Sequence, residues 1–169
     1  MRILFDAGAD PNIKDCIDQS PLHWAVEAEN IEIVRILLAA GADPNIKDNE
    51  TRSPLHCACM KGDAFANRGL IVQQLIEHGA SVNAKNYNGV QPLHYASEYS
   101  NVDIVNILLD AGADPESKAK DGRTALHCAA DHKNRSHVPS IVDCLLQYGA
   151  DPRAYGRLNQ KIIYKTSVR

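Results

Sequence analysis

Residues 20–45 read SPLHWAVEAENIEIVRILLAAGADPN, and the parts of this stretch return along most of the chain. SPLH recurs at 53–56, as QPLH at 91–94 and as TALH at 124–127. GADPN at 41–45 is echoed at 8–12, as GASVN at 79–83, as GADPE at 112–116 and as GADPR at 149–153. The motif leucines Leu22, Leu55, Leu93 and Leu126 stand 33, 38 and 33 residues apart. A period of that length describes stacked units that bury their apolar faces against one another, not a single closed core.

Inside one unit the chemistry predicts two short helices and a turn. Ser20 can cap a helix by accepting a backbone N–H, and Pro21 sits at the first helical position, where its missing donor costs nothing. Leu22, Ala25 and Val26 form one apolar face. Ile33, Val34, Ile36, Leu37 and Leu38 make the second helix apolar around most of its girth, so neighbours must cover it on more than one side. Gly41 stops that helix, because glycine takes the left-handed conformation freely, and the Asp-Pro-Asn-x-Lys that follows is turn chemistry.

These motifs resemble the ankyrin repeat over residues 8–151. The resemblance implies an all-α, right-handed solenoid of stacked helix–turn–helix units with projecting β-turn fingers. It divides a domain at 1–152 into a partial repeat at 1–14 and full repeats at 15–47, 48–85, 86–118 and 119–152. A basic, irregular segment at 153–169 follows.

Composition narrows the function classes. The chain of 169 residues carries a net charge of −3. Residues 153–169 hold five basic side chains and no acidic one, so the repeats carry 13 basic against 21 acidic residues, a net of −8. Such a body is a poor nucleic-acid surface. Five cysteines, an odd number at low density, point to a reducing compartment and a cytoplasmic protein, with the nucleus as the alternative. Cys57 and Cys128 stand at the helix position of Trp24, and Cys59 at that of Val26, so they read as small packing residues. The His56-Cys57-Ala58-Cys59 run falls short of a zinc site, which needs four converging ligands. No apolar run has the length of a membrane span, and no signal-peptide pattern opens the chain.

Residues 1–8 align with 34–41, so the chain opens inside a second helix; Ile3, Leu4 and Phe5 cover the next repeat incompletely, and a frayed end is expected, in a fragment or shortened product of a longer array, with a minimal natural cap as the alternative. Where the family pattern has Gly in the finger turn, the first unit has Asp18, a less favourable choice. The second has Thr51, for which positive φ is costly, so this finger is expected to take another turn. Gly89 and Gly122, preceded by Asn88 and Asp121, predict better-ordered third and fourth fingers. Two units are stretched: His23 to Val34 and His94 to Val105 span 11 positions, but His56 to Val72 spans 16 and His127 to Val142 spans 15. The additions fall around 63–69 and 132–139, where longer loops cost little entropy and Pro139 can restart a helix. Lys161 to Val168 reads as a short closing segment.

An enzymatic site does not emerge. His23, His56, His94 and His127 occupy one repeat position, and repetition suits a scaffold bond rather than one asymmetric catalytic centre. His78 suits a helix C-terminus. Phosphate-loop, dinucleotide-loop, HExxH and EF-hand patterns are missing, so no catalytic residue, cofactor or metal is assigned.

By resemblance, the function is protein–protein recognition by a monomeric scaffold, through finger residues and late first-helix residues on the concave face. Carried onto this chain, these are Cys16, Ile17, Gln19, Glu27 and Ala28, then Asn49, Glu50, Arg52, Met60 and Lys61. The third repeat supplies Tyr87, Asn88, Val90, Glu98 and Tyr99, and the fourth Lys120, Asp121, Arg123, Asp131 and His132. Tyr87, Val90 and Tyr99 join apolar bulk to polar tips, which makes the third repeat the expected anchor, flanked by Arg52 and Arg123. The resemblance also admits a targeting fragment of a larger assembly, such as a ubiquitin-ligase receptor or an ankyrin-bearing enzyme or channel, and an inhibitor occluding a partner enzyme. Asn12, Asn45 and Asn83, each eight residues after a leucine, resemble asparagine-hydroxylation sites of ankyrin domains; turn asparagines bonding the backbone are the alternative.

Overall fold

The computed structural model describes residues 8–60, 67–99, 101–131 and 138–153. Among these residues are eight helices and no strand. The first helices of the four units are α1 (Pro21–Glu27), α3 (Pro54–Cys59), α5 (Pro92–Glu98) and α7 (Ala125–Asp131). The second helices are α2 (Ile31–Ala39), α4 (Arg68–Glu77), α6 (Val102–Asp110) and α8 (Val138–Gln147). Each first helix packs on its own second helix. The first helices also pack on one another in chain order, and so do the second, giving two rows of an all-α solenoid.

The repeat period becomes a core because equivalent residues stack. Leu22, Leu55, Leu93 and Leu126 are all 0% exposed, as are Leu37, Leu75, Leu108 and Leu145 from the second helices. Burying a leucine contributes about 1.5–3 kcal/mol, so each unit depends on the neighbour that covers it. Gly41, Gly79, Gly112 and Gly149 end the second helices at φ between 86° and 91°, a conformation only glycine takes without penalty.

Helix starts separate the stretched second unit from the two ordinary ones. Asn30 and Asn101 cap α2 and α6 by accepting the N–H of Ile33 at 3.0 Å and Ile104 at 2.9 Å. Asn67, before α4, makes no such bond. Arg68 instead opens α4 as a buried cation, pairing with Glu29 of the first unit and donating from Nη1 to the Ala58 carbonyl at 3.3 Å. Glu29 itself stands at φ 55°. The lengthened unit thus replaces a local cap with an ion pair that ties it to the preceding layer.

The additions are shorter than the sequence suggested, because Arg68 and Gly69 belong to α4, while Val138 and Pro139 open α8. Residues 63–66 and 132–137 of the additions, His132 among them, lie outside the described residues, as do Lys61, the opening segment 1–7 and the closing segment 161–168.

Candidate functional site

All four fingers close with the same pair of backbone bonds. Thr51 N–H donates to the Asp48 carbonyl at 2.9 Å and Asp48 N–H to the Arg52 carbonyl at 3.0 Å; Gly89 to Asn86 and Asn86 to Val90 repeat this at 2.9 and 3.0 Å. Thr51 therefore adopts the glycine turn, at φ 57°, as Asp18 does at φ 59°, correcting the expectation of another turn. The reason is local over-determination: the Asp48 carboxylate accepts N–H groups of Glu50 and Arg52 at 2.9 and 2.8 Å, and these bonds outweigh a β-branched residue's penalty. Asp15 and Asn86 do the same in their fingers. The fourth finger has Ala119 at that position and braces only its tip, where Asp121 accepts the Arg123 N–H at 3.0 Å. Glycine alone is thus a poor guide to how well a finger is held.

Three side-chain ladders tie the layers. Ser20, Ser53, Gln91 and Thr124 donate their N–H to Nδ1 of His23, His56, His94 and His127. With Nδ1 an acceptor, Nε2 carries the proton; in His23, His56 and His94 it donates to the carbonyls of Arg52, Val90 and Arg123 in the next finger, each at 3.2 Å. Burial lowers the pKa of these three rings, that of His56 to about 4. The second ladder consists of the candidate hydroxylation residues. Asn12, Asn45 and Asn83 each donate to a glycine carbonyl of the next layer (Gly41, Gly79, Gly112) and accept the N–H of Asp43, Ser81 or Asp114. In the third, Lys14, Lys47 and Lys85 donate to the carbonyls of Lys47, Lys85 and Lys118. His78 closes α4 by bonding the Gln74 carbonyl at 2.8 Å.

The rim carries the variable residues. Ile17 is 40% and Tyr87 52% exposed. Val90, Glu98, Tyr99, Met60, Glu27 and Arg52 are half-buried, while Cys16, Ala28, Asn49, Glu50, Asn88, Lys120, Asp121 and Asp131 are exposed. Gln19 is buried, its amide bonded to Glu27 at 3.0 Å, so it positions Glu27 rather than facing outward. Both arginines are held: Arg52 by Asp48 and Glu50, Arg123 by Asp121 and Asp131.

Sequence reasoning missed Trp24 and Tyr95. Trp24 is 53% exposed and donates its indole N–H to Asp15 at 2.9 Å. Tyr95 accepts from Asn86 at 3.1 Å and meets His56 edge-on, with ring centroids 6.2 Å apart. Both share a helix position with Cys57 and Cys128, which are buried as expected. The signal was present: an aromatic ring outsizes the slot a cysteine fills, so its edge must emerge toward the finger.

His23, Asp48 and Cys57 bring metal-ligating atoms within 4.8 Å of one another. Their donors are committed elsewhere. Nδ1 of His23 takes the Ser20 N–H and Nε2 holds Arg52, while Asp48 Oδ2 takes two bonds from the Arg52 guanidinium at 2.8 Å. Burial pushes the Cys57 thiol up to about 12, away from the thiolate a metal needs. A cation there would have to dislodge Arg52, so these residues do not fit a metal centre.

A family model for ankyrin repeats (3 copies) matches residues 1–85, 50–119 and 66–156. The human ankyrin repeat, SAM and basic leucine zipper domain-containing protein 1 is 32% identical over 95 residues, 56% of this chain and 20% of that protein. Its Equus caballus counterpart is 31% identical over the same shares. The match therefore spans about a fifth of the length of these curated relatives.

Proposed function

The chain belongs to the ankyrin-repeat family, whose repeats serve as protein–protein interaction modules, and on that premise we propose that it binds a partner protein across the face made by its fingers and first helices. The observation that carries this is the contrast in exposure: the histidine row is buried and bonded, while Ile17, Trp24 and Tyr87 present 40%, 53% and 52% of their surface to solvent. Large, partly rigid aromatic side chains of this kind dominate interface energetics. The third repeat, with Tyr87, Val90 and Tyr99, is the anchor, and Trp24 extends it toward the first. The protein acts as a non-catalytic, monomeric scaffold in the cytosol or nucleus, where an exposed thiol such as Cys16 persists.

Cross-linking capture of a partner followed by Tyr87→Ala with Tyr99→Ala tests the anchor. Capture should fall while the melting point holds; undiminished capture by a folded double variant removes the claim. Trp24→Ala should weaken capture less.

A second reading is that the chain is the recognition part of a larger assembly. It is favoured by relatives whose names include SAM and leucine zipper domains and of which the match covers 20%. An uninterrupted reading frame joining these repeats to another domain supports it, and a stop codon on both sides ends it. Hydroxylation of Asn12, Asn45 and Asn83 would modify ladder side chains that are half-buried in Asn12 and exposed in the other two; an intact mass without added oxygen, measured on protein from the native cell, rules it out.

A further inference from the structure

The proposed face has a chemical bias that its sequence conceals. The segments carrying fingers and first helices, 15–28, 48–60, 86–99 and 119–131, contain eight carboxylates and three cations, Arg52, Lys120 and Arg123. Arg52 holds Asp48 at 2.8 Å and Glu50 at 3.2 Å; Arg123 holds Asp121 and Asp131, both at 3.1 Å. Each guanidinium is therefore already matched by two carboxylates. An acidic partner would have to break these pairs and approach the remaining negative charge, a like-charge contact that interfaces avoid.

The third unit leaves a carboxylate without a hydrogen bond or ion pair among the described residues, although the charge of Arg123 acts on it. Across each other unit a finger residue reaches the end of the first helix: Gln19 to Glu27 at 3.0 Å, Arg52 to Met60 at 3.9 Å and Arg123 to Asp131 at 3.1 Å. In the third the finger residue is Val90, which has no donor for Glu98, and Glu98 makes no hydrogen bond or ion pair among the described residues. The finger edge is also open at this place. Asn49 N–H bonds the Ile17 carbonyl at 3.2 Å and Lys120 N–H the Asn88 carbonyl at 2.9 Å, but the equivalent groups of Tyr87 and Glu50 make no such bond. An exposed aromatic ring, an unpaired carboxylate and an unclosed finger edge thus coincide.

We infer that the occupant of this face is a lysine- and arginine-rich segment of another protein with apolar side chains between its cations. One cation pairs with Glu98 and another with Glu27, while apolar side chains lie on Tyr87 and Trp24. The inference rests on the reading of this face as the binding surface and adds the chemistry of what it binds.

Fluorescence anisotropy on the full chain tests it with two labelled synthetic peptides, one alternating leucine with lysine and arginine, the other with glutamate replacing every cation. The basic peptide should bind, and weaken as salt rises. Glu98→Gln with Glu27→Gln should lower its affinity about twofold to tenfold, the range of two exposed charge pairs. The control pair Glu32→Gln with Glu77→Gln, on the second helices, should leave it unchanged. Equal binding of the acidic peptide, binding of neither peptide, or an equal loss in the control pair overturns the inference. Those results leave the binding face standing, because that face is lost only if a captured partner ignores Tyr87→Ala with Tyr99→Ala.

Discussion

At the seam between a first helix and the next finger, His23, His56 and His94 each span the same 3.2 Å to a backbone carbonyl, whatever residue owns it. At the rim, the residues owning those carbonyls are the arginines Arg52 and Arg123 and, between them, Val90, which shares neither their charge nor their shape. A histidine that bonds backbone is indifferent to the side chain next door, so the rim can vary without loosening the stack. That indifference lets one architecture carry different recognition surfaces, and it divides the molecule into a region read by the fold and a region free for a partner.

The largest break in that division should come from the core. Leu108 is 0% exposed, and Leu108→Ala should cost about 2–5 kcal/mol through the cavity it leaves; an unchanged denaturation midpoint would contradict its place between the layers. Next comes Asn45→Ala, which removes a donor to the Gly79 carbonyl and an acceptor for the Ser81 N–H, both at 2.8 Å. A loss of about 1–3 kcal/mol is expected, whereas Asn49→Ala, on an exposed finger tip, should change stability little.

Acid should act on the histidine ladder in a defined direction. His56 titrates near 4 when folded against 6.5 ordinarily, so the unfolded chain takes up the proton first. Stability supplied by the neutral ring is whole above 6.5 and is lost as pH falls from 6.5 toward about 4. The slope from this ring is at most about 1.4 kcal/mol per pH unit. Urea titrations across that range check it, and His56→Gln should flatten the slope. The smallest effect runs the other way. Thr51→Gly relieves a positive φ and removes a buried hydroxyl that has no partner, and should stabilise by about 0.5 kcal/mol; destabilisation would show that Thr51 contributes a contact the turn needs.

Legibility followed repetition. The leucine and histidine rows could be placed from spacing, because any residue required in every layer is written in every layer. Trp24 escaped because Cys57 and Cys128 share its position, and two small residues suggested a slot that a large one does not fit. The Thr51 turn was misjudged because its stabilising carboxylate, Asp48, lies three residues earlier and acts through backbone bonds that intrinsic preference does not count. Arg68 was assigned to a loop because its reason for being helical and buried is Glu29, in another unit.

By itself the sequence determined the period, the helix pairs and the residues that must be buried, since these follow from local capping, turn chemistry and apolar spacing repeated at fixed intervals. Only the tertiary structure decided which charges on the rim remain available. Arg52 and Arg123 looked like free cations in the chain and are held by carboxylates in the fold, while Glu98, one acid among many in the chain, makes no hydrogen bond or ion pair among the described residues. Pairing depends on distances between fingers and helix ends, and those distances exist only once the layers have stacked.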